Sequence, residues 1–149
     1  MQLIKTFGSA VHGVNAFTVT IEINVSPSGN PDIKYFIVGL PDSALRESWH
    51  RIETALKHNY FHMPRTKIVV NLSPADVRKE GTSYDLPIAI GVLASSEQLP
   101  ADKLKDYLIM GELSLDGTIK PIKGALPISI QAKKEGFKGF ILPKQNARE

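Results

Sequence analysis

Apolar residues along this chain recur with two periods. At period two, β-branched and aromatic residues alternate with polar ones near Gln2 to Ser9, Phe17 to Val25, Lys34 to Val38, Lys67 to Leu72, Tyr107 to Leu115 and Gly139 to Leu142, and each run predicts a strand. Turn-forming clusters separate the runs. Ser26-Pro27-Ser28-Gly29-Asn30-Pro31 predicts a hairpin-like turn between the second and third strands, and Asp116-Gly117 predicts a hairpin before Thr118-Ile119. The N-terminal half therefore reads as an antiparallel meander.

At the helical period, Leu45, Trp49, Ile52 and Leu56 share one face, with Pro41 suited to a first turn and Asp42 and Ser43 available as caps. That face leaves Arg46, Arg51 and Lys57 outward. A second helix, about Leu86 to Glu97, is apolar nearly all round through Ile88, Ala89, Ile90, Val92, Leu93 and Ala94, which makes it the central buried helix. A third runs from about Gly124 to Lys134, with Gly136 as its stop. The last residues, from Leu142 to Glu149, read as the start of another helix. The order β-β-β-α-β-α-β-β-α-β predicts an α+β fold, with helices packed on a mixed sheet. No repeat, low-complexity tract or linker divides the chain, so residues 1 to 149 are expected to form a single domain.

A chain of 149 residues is long enough to bury a core without help from metal or disulfide. Its lack of cysteine removes thiolate nucleophiles, Cys-ligated zinc and iron–sulfur clusters together. The start lacks the basic and long apolar regions of a signal peptide, and no apolar run approaches the ~20 residues of a membrane span, so a cytoplasmic location without membrane contact is expected. The formal net charge of +3 is unevenly placed. After Asp116, Lys120, Lys123, Lys133, Lys134, Lys138, Lys144 and Arg148 face only Glu135 and Glu149, which is either a solvated surface or a face for nucleic acid.

Chemistry concentrates between Asn71 and Ser95, where a β-branched strand passes through a polar loop into the apolar helix. The loop brings Arg78, Lys79, Gly81, Thr82 and Ser83 to a helix N-terminus, whose unpaired N–H groups favour anions or activate a hydroxyl. Ser83 as a nucleophile requires a base, yet His12, His50, His58 and His62 lie in other segments; as a capping or turn hydroxyl it requires none. Asp85 competes for the same N–H groups and reads as a structural cap. Gly8 to Gly13 has the glycine spacing of a phosphate-binding loop, but Val14 and Asn15 stand where Lys and Ser/Thr belong. His58 and His62 lack a third metal ligand, and Pro64 ends their helix, so no metal site is expected. Asp76, Glu80 and Asp85 are accounted for by ion pairing and turn formation. Arg65, Lys67, Arg78 and Lys79, with Lys57, are candidates for salt-sensitive nucleic-acid backbone contact or for an interface; no interleaved aromatic platform accompanies them.

Several stretches carry a family resemblance: Val38 to Ser48 (V-G-L-P-D-S-A-L-R-E-S), Arg51 to Leu56 (R-I-E-T-A-L), Val70 to Leu93, Met110 to Gly117 (M-G-E-L-S-L-D-G) and Ala10 to Ala16. In order, they closely resemble the N-terminal domain of Mg-chelatase-like AAA+ ATPases of the ComM/YifB type. The resemblance implies a fold like the second domain of ribosomal protein S-five, related to the proteolytic domain of Lon and the C-terminal domain of RadA. It also implies a downstream AAA+ motor that uses ATP and magnesium, a hexameric assembly, and DNA as partner, with branch migration in natural transformation as the ComM-type role. No cofactor is implied in this segment itself. Lys79-Glu80-Gly81-Thr82-Ser83 resembles the segment bearing Lon's nucleophilic serine, and Gly111 to Gly117 with Pro121-Ile122 resembles the segment that precedes its lysine base. That base falls on Leu126 to Ile128, which hold no ionisable group. A serine without a base has no route to an activated nucleophile, so the expectation is a non-catalytic assembly and coupling domain. The rivals are a serine-lysine peptidase with a base from an unexpected position and a stand-alone RNA-binding domain.

Overall fold

The computed structural model describes residues 3–27 and 34–149. β1 (Leu3–His12) and β2 (Asn15–Val25) form a long antiparallel hairpin, registered from Leu3↔Asn24 to His12↔Asn15. β3 (Tyr35–Val38) leads into α1 (Ser43–Arg46) and α2 (Ser48–His58), then β4 (Ile68–Ser73) and α3 (Asp85–Ser95). β5 (Tyr107–Ile109), β6 (Glu112–Leu113), β7 (Ile119–Lys120), α4 (Ala125–Lys134) and β8 (Gly139–Ile141) complete the order. The main sheet runs β3-β4-β2-β1-β5-β8; β6 and β7 form a separate ribbon closed by the expected Asp116-Gly117 turn.

The N-terminal half is not a simple meander. β3 lies parallel to β4, which itself sits antiparallel to β2, so β2 and β3 are not neighbours and no hairpin joins them. The expected turn residues Ser28 to Pro31, and Gln2 of the first run, lie outside the described residues. A second difference concerns Tyr107 to Leu115, which reads as one strand but splits between the two sheets. At the break, Gly111 donates to the Ser83 carbonyl (2.8 Å) and accepts from Leu86 N–H (3.0 Å), pairing with the start of α3 instead of a strand. The first expected helix also divides, at Glu47, and Asp42 caps α1 through a bond from Leu45 N–H (2.8 Å). The C-terminal segment forms a 3-10 turn at Lys144–Asn146.

The two sheet faces bury different layers. Ile4, Thr6 and Gly8 of β1 share a face with Ile23, Ile21 and Val19 of β2, and α3 lies on it: the Thr6 hydroxyl donates to the Pro87 carbonyl at 3.0 Å. The approach is close enough that a Cβ on Gly91 would stand 2.2 Å from Ile23 Cδ1, which explains a glycine inside an otherwise continuous apolar helix. α2 extends this layer, with Tyr35 tilted against Trp49 at 4.9 Å between ring centroids. α4 and the turn after it cover the opposite face over β1 and β2, where Phe7 meets Phe137 and Thr18 bonds Glu135. On the β3 side that outer face stays open, with Phe36 and Val38 exposed. The core, including Ile21, Ile23, Ile52, Val70, Leu72, Ile88 and Val92, sits between the sheet and α2–α3.

Candidate functional site

The loop between β4 and α3 is held from three directions. Lys79 is fully buried, and its ammonium donates to the carbonyls of Gly39 (2.8 Å), Leu72 (3.0 Å) and Pro74. Its backbone donates to Leu40 and accepts from Asp42 N–H, both at 3.0 Å, while Asp42 Oδ2 accepts from Gly81 N–H at 3.1 Å. The Asp42 carboxylate thus ties the start of α1 to the loop. Gly39 is needed at this junction: its φ is +102°, and a Cβ there would stand 2.1 Å from the Leu72 carbonyl oxygen. Burial without a paired carboxylate pushes the Lys79 pKa down, with Asp76 opposing the shift.

Lys79 therefore leaves the set of surface cations that the sequence suggested. Arg78 remains exposed, 3.5 Å from Glu80. Arg65 is exposed, and Lys67 sits over the Phe36 ring at 5.5 Å from its centroid. Lys67 and Arg78 flank opposite ends of β4, whose length of about 20 Å separates them into two places on the surface.

Asp85 does not cap its own helix. Fully buried, it accepts from Arg51 Nε (2.6 Å), Arg51 Nη2 (2.9 Å), the Ser48 hydroxyl (2.8 Å) and Leu113 N–H (3.1 Å), joining α2, α3 and the β6–β7 ribbon. Arg51, expected to face outward, turns inward to make this pair, and that hydrogen bond raises its pKa. A carboxylate at the head of an almost wholly apolar helix was the available sequence signal, because a buried charge needs a partner.

Ser83 lies half-buried in the lining of a cavity of about 640 Å³. The loop contributes Arg78, Glu80 and Thr82 to it; β1 contributes Ser9 to His12; Glu112, Pro121 to Lys123 and Ile128 also line it. Leu126 is exposed and Ile128 is buried in the cavity lining, so the turn expected from the resemblance to carry a base presents alkyl groups. Lys123 and His12 line the same cavity, with His12 stacked on Phe17. Among the described residues, neither donates to nor accepts from the Ser83 hydroxyl. Tyr84, buried beneath the loop, has its phenol pKa raised by desolvation, then by Asp42 and Glu80. Sequence reasoning missed the β1 wall and the 121–123 wall, which reach the loop only through tertiary packing.

The other candidates separate. Gly8 lies within β1 and Gly13 in the hairpin turn, with φ +63°, so they form no phosphate loop. His58 ends α2, and a left-handed turn at Tyr60 (φ +67°) intervenes before His62, so the two histidines share no helical face. Among the described residues, no three potential metal ligands cluster, and no helix is long and apolar enough to cross a membrane.

Residues 21–146 match the family model described as subunit ChlI of Mg-chelatase. Over its whole length the chain is 42% identical to competence protein ComM of Haemophilus influenzae, of which it covers 28%. It is 43% identical to the uncharacterized protein YifB of Escherichia coli, of which it covers 29%. An archaeal Lon protease from Thermococcus kodakarensis is 27% identical across 99% of the chain, which spans 25% of that protease. The mixed sheet with its packed helices is thus of the Lon proteolytic-domain type, and the chain spans under a third of the length of these relatives. With most of its length matched by the family model and the whole of it aligned to ComM and YifB, the chain belongs to the Mg-chelatase ChlI family.

Proposed function

We propose that this chain is a non-catalytic N-terminal domain of a Mg-chelatase-like AAA+ ATPase, which couples a downstream motor to DNA. The observation that carries the reading is the full-length match to ComM and YifB, each more than three times longer than the region matched. In this reading ATP and magnesium act in the motor, the parent protein is a hexamer, and the ComM-type role is branch migration of DNA during transformation. The Ser73 to Asp85 loop is its contact element. Pinned through Lys79 and Asp42 and continuous with a core helix, the loop moves with the whole domain, so a force at Arg78 reaches the core without being absorbed by loop motion.

The peptidase reading is disfavoured by the same geometry. The Ser83 hydroxyl has no hydrogen-bonded base among the described residues, and Ile128, in the turn where the resemblance would put one, adds only an alkyl group to the cavity lining. Arg78→Ala in the parent protein is expected to lower DNA-stimulated ATP hydrolysis several-fold, while the far-UV circular dichroism and melting temperature stay unchanged. Unaltered stimulation by DNA defeats the assignment of the loop. A parent sequence without a G-x-x-x-x-G-K-[ST] motif defeats the motor.

A further inference from the structure

α2 ends in a turn whose central side chain stands clear of the fold. Phe61 N–H donates to the Leu56 carbonyl (3.0 Å) and Tyr60 N–H to the Lys57 carbonyl (3.2 Å), the paired bonds of a Schellman stop, which puts Tyr60 at its left-handed position with φ +67°. Glycine is the usual residue there, because a Cβ is strained at that φ. Contacts of the ring would offset the strain within the fold, yet Tyr60 is 99% exposed, so the strain points to a role outside it. The turn is also held from both sides. The Asn59 side-chain amide donates to the Asp116 carbonyl (3.0 Å), and Gln98 clasps His62, accepting from its N–H (3.1 Å) and donating to its carbonyl (2.9 Å). A fixed backbone thus presents the Tyr60 ring to solvent, with the exposed Phe61 next to it.

The charges around the turn decide what the ring meets. From Thr54 to Ala75 the chain carries Lys57, Arg65 and Lys67, with His58 and His62, and no Asp or Glu. Met63, Pro64 and Thr66 are buried, so the cations and both rings are what the connection to β4 exposes. Two carboxylates approach it from outside: Glu53 pairs with Lys57 at 3.2 Å, and Asp116 lies near His58. Arg65 and Lys67 are in no ion pair among the described residues, and Lys67 carries the succession of ring and cation onto the exposed Phe36 of β3. These two cations were expected to lack an aromatic platform; Tyr60, Phe61 and Phe36 supply its rings. Rings that stack on bases, beside cations that meet phosphates, suit an unpaired strand of nucleic acid, whereas a duplex hides its bases. We infer that the turn at Tyr60 is a contact for single-stranded nucleic acid, in which the Tyr60 ring stacks on a base and Arg65 and Lys67 meet the backbone. Gln98 ties this turn to the C-terminal end of α3, while the Ser83 loop precedes the N-terminal end, about 16 Å away along the helix. The contact is therefore additional to the one proposed at Arg78, and the two fail separately.

The probe is a fluorescein-labelled oligothymidylate of about 12 nucleotides, titrated with the whole chain at low salt and followed by anisotropy. An oligouridylate of equal length runs beside it, and the tighter of the two identifies the strand. Saturable binding is expected; Tyr60→Ala is expected to weaken it roughly fivefold or more, while Tyr60→Trp, which keeps a stacking face, retains it. Arg65→Gln is expected to flatten the slope of log affinity against log salt by about 0.7. The same strand annealed to its complement is expected to bind more weakly, since only backbone charge remains to hold it. Tyr60→Gly separates contact from fold: binding falls as in Tyr60→Ala, but the melting temperature does not, because glycine relieves the left-handed turn. No saturable binding, wild-type affinity in Tyr60→Ala, an unchanged salt slope in Arg65→Gln, or equal affinity for the duplex overturns the inference. A lowered melting temperature in Tyr60→Gly also overturns it, by making the ring part of the fold. Tyr60-dependent self-association in place of oligonucleotide binding would assign the ring to a second copy of the chain and overturn it likewise.

Discussion

Neighbours in sequence, Arg78 and Lys79 have opposite fates: one guanidinium stands in solvent beside Glu80, and one ammonium is sealed among the carbonyls of Gly39, Leu72 and Pro74. The burial of Lys79 was not legible, because a polar loop with consecutive cations reads as surface until a second segment, Gly39 to Asp42, is known to close over it. Lys79→Met removes the donor and leaves three inward carbonyls unpaired, at an expected cost of about 2 kcal/mol in urea denaturation. Its pH dependence has a definite sign. Burial lowers the folded pKa, so between that value and the unfolded value near 10.4 the unfolded chain binds more protons, and stability from this group rises with pH. The stability gap between the wild type and Lys79→Met is therefore expected to widen as pH is raised through the alkaline range; a gap that narrows contradicts the lowered pKa. Tyr84 also titrates under alkaline conditions, but it is present in both proteins and cancels in the difference.

Among elements, the strands were readable almost to their ends because β-branched alternation is a local signal, and α3 because its apolar run can only be buried. What joins the elements was not. The parallel β3–β4 pair and the split after Ile109 depend on which segments meet, and short-range turn chemistry carries no record of that. The same holds for the Arg51–Asp85 clasp, which fixes α2 against α3 and draws in the ribbon through Leu113 N–H. Arg51→Met strands a fully buried carboxylate and is expected to cost about 3 kcal/mol. Replacing both partners, Arg51→Met with Asp85→Leu, removes the stranded charge along with the bond. The double variant is expected to lose at least ~1 kcal/mol less than the sum of the two single variants in a urea-denaturation cycle. Additive losses would mean that the two side chains stabilise the fold independently, against the bidentate geometry.

At the scale of the molecule, the cavity is a product of closure between distant parts of the chain. β1 forms one wall, the loop before α3 another, and residues 121 to 123, far along the sequence, a third. Ser83 and the loop were identifiable as candidate chemistry, whereas the enclosing walls became visible only once the sheet order brought β1 and β5 together. The third wall depends on the C-terminal segment. Asn146, almost fully buried, accepts from Ile122 N–H at 2.9 Å and donates to the Ile122 carbonyl at 3.0 Å, a side chain replacing a strand partner. Those two bonds hold Pro121 to Lys123 against the cavity while the clasp at Asp85 is untouched by them. Asn146→Ala leaves both Ile122 backbone groups buried and unpaired, at an expected cost of ~1–3 kcal/mol. Because the loss is local, hydrogen exchange at Ile122 is expected to accelerate well before that of the α3 amides, which open with the core. Equal acceleration at Ile122 and in α3 would show that the C-terminal segment stabilises the domain as a whole instead of gating one wall of the cavity.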